Sequence, residues 1–195
     1  MQGISREEIL PPKIFEKNRE TITRTIINHK KGRRVTTRTF SFLFESREIV
    51  INQINEMVFI ENVQDEDEIR RLINVYSEQL PGENELSVSM FIEFENQDIM
   101  VRELPKMAGI ENSVYITFDG DEVKGIPEEG RSTEVLESTL QYLKFKFDQK
   151  EKDKFLKAKN VYIETRKKGY EESARIFPEL LEALKNELLS HQNQP

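Results

Sequence analysis

Phe40-Ser41-Phe42-Leu43-Phe44-Glu45-Ser46-Arg47-Glu48 carries two periodicities within nine residues. Phe40, Phe42 and Phe44 alternate with Ser41 and Leu43, the period-two pattern of an extended segment with one aromatic face. From Ser46 the period lengthens, and Ile49, Val50, Ile51, Ile54, Met57, Val58 and Ile60 form one broad apolar arc at 100° per residue, which predicts a helix over Ser46 to Glu61.

Upstream, the β-branched Val35, Thr36, Thr37 and Thr39 extend the first pattern, so a single extended segment is predicted from Val35 onward. Before it, Phe15, Ile22, Ile26 and His29 recur at helical spacing. Pro12 can open that helix, because its missing N–H has no partner in a first turn anyway. Lys30, Lys31 and Gly32 close it, with cations at the negative pole and a glycine able to take positive φ. Ser5-Arg6-Glu7-Glu8 matches a capping box and starts a shorter helix.

Downstream, the acidic cap Asp65-Glu66-Asp67-Glu68 introduces a helix with Ile69, Leu72, Ile73, Tyr76 and Leu80 on one face. Pro81-Gly82 ends it, and the two helices read as a hairpin. Strands are predicted at Leu86 to Phe94, Ser113 to Phe118, Glu122 to Ile126, Leu140 to Phe147, Val161 to Thr165 and Ser173 to Phe177. Asp119-Gly120 supplies a tight hairpin turn. Further helices fit Asp98 to Met107, Asp148 to Ala158 and Pro178 to Leu189, the last with Leu180, Leu181, Leu184 and Leu188 as its buried stripe. The expected class is therefore α+β: N-terminal helices and a helical hairpin packed with a mainly antiparallel sheet, and a C-terminal helix. One compact domain is expected over residues 1–190, with 191–195 a polar tail.

The chain has 195 residues and no cysteine, which rules out disulfides, thiolate nucleophiles and thiolate metal ligation by its own side chains. With no leader-like or membrane-length apolar run, a soluble cytoplasmic protein is expected. The net charge of −7 is uneven: residues 1–38 hold ten Lys/Arg against four Glu, and residues 56–137 hold twenty-one Asp/Glu against six Lys/Arg. That asymmetry steers a partner or draws the two regions together.

The opening Ile4-Ser5-Arg6-Glu7-Glu8-Ile9-Leu10-Pro11, the Phe40 to Glu48 stretch with Gln53, Glu56-Met57 and Glu61, then Tyr76, Leu80-Pro81, Arg131-Ser132-Thr133 and Tyr142-Leu143-Lys144-Phe145 together resemble a bacterial family of unknown function, DUF3501. The resemblance runs nearly end to end. It implies company with rubrerythrin-like and iron–sulfur electron-transfer proteins, hence a redox or oxidative-stress setting. The chain departs from the family where histidines are expected, with Gln141 before Tyr142 and Arg166-Lys167-Lys168 ahead of Gly169-Tyr170.

Among the polar residues, Gln53 and Glu61 project inside the apolar arc of the 46–61 helix and Glu56 lies at its edge. An enclosed carboxylate is either paired or held at a raised pKa suited to acid–base work. Glu61 alternatively extends past the helix end, or pairs with Arg70 or Arg71. Ligand-binding candidates are Glu45, Arg47, Gln53, Glu56, Glu61, Tyr76 and Glu93. No metal site is expected, since neither His29 nor His191 follows a Glu at the di-iron spacing. No nucleotide loop or serine-hydrolase elbow occurs, so no cofactor is expected. Lys30-Lys31-Gly32-Arg33-Arg34 with Arg38, and Arg166-Lys167-Lys168, are basic runs. The acidic middle argues against nucleic acid as a partner, and Phe40, Phe42 and Phe44 read as a core face rather than a base-stacking platform. The leading expectation is a non-catalytic accessory or small-ligand-binding protein working with a redox or iron–sulfur partner. The alternatives are an enzyme using Glu56 and Glu61 beside Arg47 and Tyr76, and, third, a nucleic-acid binder acting through Lys30 to Arg38.

Overall fold

A computed structural model describes residues 3–128 and 139–190. The Arg131-Ser132-Thr133 turn and the 191–195 tail lie outside the described residues. The chain forms two compact units, Met1–Arg33 with Glu45–Pro81 and Arg34–Phe44 with Gly82–Pro195, so it passes between them three times.

The first unit is helical. Ser5 begins a single 3-10 turn, Arg6–Glu8, rather than a helix, closed by the expected capping box with Ser5 N donating to Glu8 at 2.8 Å. Ile9-Leu10-Pro11 then breaks it, and Leu10 N donates to Asn55 Oδ1 at 2.8 Å. Helix α1 (Pro12–Lys31) begins at its proline as predicted. Gly32 keeps φ at −71°, not the positive value expected, because the helix runs on into a tight αR turn in which Gly32 N donates to Asn28 O. Helix α2 (Arg47–Ile60) and helix α3 (Glu66–Ser77) form the hairpin. Asp65 caps α3 through a 2.9 Å bond from Glu68 N. Val50, Ile54, Val58, Ile69, Leu72 and Ile73 make its buried core, with Ile4 and Ile9 added from the N-terminal segment. Met57 and Tyr76, both read as buried, are only partly so. Helix α1 runs antiparallel to α2: Phe15 meets Phe59 edge-on at 5.9 Å, Arg19 meets Glu56, and His29 meets Ser46.

The second unit is an eight-stranded sheet with every pair antiparallel, in the order β1-β2-β3-β6-β5-β4-β7-β8. The strands are β1 (Arg34–Thr36), β2 (Phe40–Phe44), β3 (Glu85–Ile92), β4 (Val114–Phe118), β5 (Asp121–Pro127), β6 (Leu140–Lys146), β7 (Val161–Thr165) and β8 (Glu172–Arg175). The α+β class is thus established. The segment predicted as one extended run from Val35 is a hairpin instead, because Thr37 turns the chain: its N–H and hydroxyl both donate to Phe40 O. Between β4 and β5, Asp119 and Gly120 have φ of 47° and 91°, the double positive φ a two-residue hairpin turn demands.

Phe40, Phe42 and Phe44 lie in the sheet core. Phe155 of α5 (Gln149–Lys157) completes an aromatic cluster there, at 5.4 Å from Phe118 and 5.0 Å from Phe147. The four predicted leucines of α6 (Pro178–Ser190) are buried in the same core. The predicted 98–107 helix is α4 (Gln97–Glu103), which tightens into a 3-10 turn at Leu104–Met107.

Gly125 of β5 faces Phe145 of β6, and a Cβ there would meet Phe145 Cζ at 3.0 Å and Val114 O at 3.4 Å. Gly125→Val is expected to lower stability by about 1–3 kcal/mol through overpacking, read as a lower urea midpoint with unchanged slope.

The outer strands are tied at one point. The Glu172 carboxylate of β8 accepts from Thr39 N at 2.9 Å and Thr39 Oγ1 at 2.6 Å, and lies 3.4 Å from Arg38, so the sheet curls until its edges meet at the β1–β2 turn.

Candidate functional site

The densest cluster of buried polar groups in the helical unit lies at the start of α2. Arg33, Glu45 and Ser46 are 5%, 1% and 6% exposed, which is unusual for such residues outside a site or a structural network. Arg33 Nη2 donates to the Glu45 carbonyl at 3.0 Å. One residue on, Ser46 occupies the N-cap of α2 in extended geometry, yet its hydroxyl does not cap the helix. It bonds His29 Nε2 at 2.9 Å instead.

The antiparallel run of α1 along α2 explains this meeting, since it sets the C-terminal turn of one helix beside the N-terminal turn of the other. Glu48 joins them, 3.8 Å from His29 Nε2. Burial pushes the Glu48 carboxyl up, but its own backbone N–H, the Ser46 hydroxyl and the charges of His29 and Arg33 outweigh that and hold it below the usual carboxylate range. His29 Nε2 thus lies 2.9 Å from the Ser46 hydroxyl and 3.8 Å from the Glu48 carboxylate, which brings an imidazole, a hydroxyl and a carboxylate together at the first turn of α2.

Arg47, the first residue of α2, points to the N-terminal segment. Its Nε and Nη2 donate to Glu8 at 2.9 and 2.6 Å, and Nη2 also reaches Gly3 O at 3.2 Å. Arg47 and the Ser5 backbone N–H hold the Glu8 carboxyl below its usual range.

The remaining candidates are dispersed. Glu56 is gripped by Arg19 Nε and Nη2 at 3.0 and 2.8 Å, with Thr23 Oγ1 at 3.5 Å. Gln53 is half-buried, and its Oε1 has no hydrogen-bond partner among the described residues. Glu61, read as inside the apolar arc, is the exposed C-cap of α2 and adds its charge to the surroundings of Arg71, because the helix ends before its side chain turns inward. Tyr76 packs at the edge of the hairpin core. Glu93, in the sheet unit, lies 3.8 Å from Arg34. No group of three His, Asp or Glu residues able to hold a metal ion forms among the described residues.

The basic runs are largely engaged in structure. Besides Arg33, Arg34 donates to Ser41 Oγ at 2.5 Å and stacks 4.8 Å from the Phe91 ring. Arg166 joins Glu122 and Glu164 at 2.7 and 2.6 Å over the Tyr115 ring. Gln141, on β6 opposite Met90, is 1% exposed.

Sequence reasoning placed His29 merely at the end of a helix face and missed its contact with Ser46. The available signal was the shared N-cap: a serine beginning α2, two residues before a glutamate, and a histidine in the last turn of the helix preceding it.

No helix among the described residues is long and apolar enough to cross a membrane. Comparison with curated proteins gives no match. Two solved chains match. One is the crystal structure of a protein from Burkholderia pseudomallei K96243, described as novel and of unknown function, which is 28% identical with a TM-score of 0.89 over 96% of this chain and 100% of that one. The model of the DUF3501 family, described as a protein of unknown function, matches residues 3–188, and the chain belongs to that family.

Proposed function

We propose that this protein is a non-catalytic accessory protein of the cytoplasm that holds a small polar ligand at the start of α2 and works beside a redox or iron–sulfur protein. The observation that carries the ligand site is the burial of Glu45, Arg33 and Ser46 together at the first turn of one helix. Buried charge is expensive, and proteins retain it where it orders a network or meets a ligand. Two further pairs, Arg19 with Glu56 and Arg47 with Glu8, hold the candidates Glu56 and Arg47 in guanidinium–carboxylate pairs, which suit recognition and cohesion rather than proton transfer. The partner class rests on the family resemblance alone.

Native mass spectrometry of the chain isolated from its own source tests this. The expected result is a small polar mass on the wild type that is absent from Glu45→Gln, with the circular dichroism of the two unchanged, and an iron-containing protein among the co-isolated species. A wild type that carries no such mass, with Glu45→Gln altering only the melting temperature, overturns the proposal. If the wild type consumes a compound that Glu45→Gln only binds, the site is catalytic.

A further inference from the structure

We propose that the open face of α1 is the two-fold contact of a homodimer, in which α1 lies antiparallel against α1 of a second copy. Helix α1 has twenty residues, and Phe15 is its single buried one. Along its outer side runs a groove of about 950 Å³, whose α1 wall includes Arg19, Arg24 and Asn28 as well as Glu16, Glu20, Thr23, Ile27 and Lys31, and whose α2 side is Glu56 and Phe59. Of the α1 positions, Glu16, Glu20, Thr23, Ile27 and Lys31 form a central stripe within about 80° of each other at 100° per residue. A second hollow of about 660 Å³ shares Glu16 and Phe59 and carries the groove past the start of α1.

The charge along this stripe is graded. Glu16 and Glu20 occupy its first half and Lys31 its second, with Arg24 just beside the stripe, while Arg19 in the first half is neutralised by Glu56. Glu20 and Arg24 pair with each other at 3.0 Å within the helix, whereas Glu16 and Lys31 have no ionic partner among the described residues. Such a helix is complementary to itself only when reversed. A two-fold axis passing between Thr23 and Arg24 sets Glu16 opposite Lys31 of the second copy, twice, while a parallel pairing would set Glu16 against Glu16 and Lys31 against Lys31.

The same axis matches the apolar groups. Ile27, 47% exposed, falls opposite Glu20, one turn from Glu16. At that end of the groove the Phe59 ring lies against Phe15 and under the Arg19 guanidinium at 4.9 Å. Each Ile27 is therefore seated on Phe59 of the other copy, and an apolar side chain that water now surrounds acquires a partner.

The helix is about 30 Å long, so the contact is smaller than the roughly 800 Å² per subunit of stable dimers, and a reversible association in the micromolar range follows. The inference rests on α1 and Phe59, not on the cluster at the start of α2, so it stands or falls separately from the ligand site.

Sedimentation velocity on the full chain, from about 1 to 500 μM, reads the result over the range where such small contacts associate. The expected outcome is a concentration-dependent monomer–dimer equilibrium that Ile27→Asp abolishes. Glu16→Lys and Lys31→Glu should each weaken it by about tenfold, and the doubly swapped chain should restore it, because the pair re-forms across the axis with its signs exchanged. All three positions are exposed, and circular dichroism checks that each variant folds. A monomer throughout that range, a dimer indifferent to Ile27→Asp, or a double swap no better than either single one overturns the inference.

Discussion

Replacing Ile54 by Asp is expected to lower the melting temperature by about 10–20 °C, the fall that a loss of about 4–6 kcal/mol produces in a protein of this size. Ile54 is 0% exposed at the centre of the α2–α3 hairpin, among Val50, Val58, Leu72 and Ile73. Deleting a buried isoleucine side chain alone removes about 2–5 kcal/mol, and an unpaired carboxylate in the same space adds the penalty of its lost hydration. Two comparisons isolate the cause. Ile54→Val keeps the shape and should cost about 1 kcal/mol, while Ile60→Asp, on the same helix but 64% exposed, should stay within about 0.5 kcal/mol of wild type. Thermal unfolding followed by far-ultraviolet circular dichroism checks all three. An Ile54→Asp protein that melts with the wild type would remove the hairpin core from this account.

The contrast between Ile54 and Ile60 also shows where sequence reading runs out. Both sit in the apolar arc read from the 46–61 periodicity, and the arc locates the helix to within a residue at each end. Periodicity reports direction around a helix axis, however, and not what lies opposite, so it cannot separate a packed isoleucine from one at a helix end facing water. For the same reason the arc alone leaves Glu61 either enclosed or extending past the helix end, and the structure has the second, an exposed C-cap. The strands β4, β6 and β7 were legible because alternation and the Asp119-Gly120 turn are local signals. The turn at Thr37 was not, since it depends on Thr37 bonding Phe40 O while β-branched residues on both sides read as continuous strand. At the candidate site, Glu45 and Arg47 stood out in the sequence, but Arg33 and His29 did not. They belong to a basic stretch whose composition suggests solvent, and only the antiparallel crossing of α1 and α2 brings them to the first turn of α2.

Glu172→Ala should lower stability by about 3 kcal/mol at neutral pH, since it removes an acceptor that satisfies Thr39 N–H and hydroxyl and stands beside Arg38. The Glu172 side chain is only 8% exposed, so solvent does little to replace those bonds. Burial raises the Glu172 carboxyl, but the nearby Thr37 hydroxyl, the two bonds from Thr39 and the charge of Arg38 outweigh it, and the folded-state value lies below the usual one near 4.5. A carboxyl depressed in this way stabilises the fold fully above its unfolded pKa and loses that contribution as the pH falls through the lower folded value. Glu172→Gln, which keeps one oxygen but no charge, therefore separates the two parts of the effect. Its deficit against wild type should be constant from neutral pH down to about 5 and shrink steadily below that, as the wild-type carboxylate takes up its proton. Urea denaturation of both proteins across that range measures the difference directly. A deficit that stays the same into acid would mean that shape, not charge, joins the edges of the sheet. No deficit at all would mean that the β1–β2 turn holds its place without Glu172.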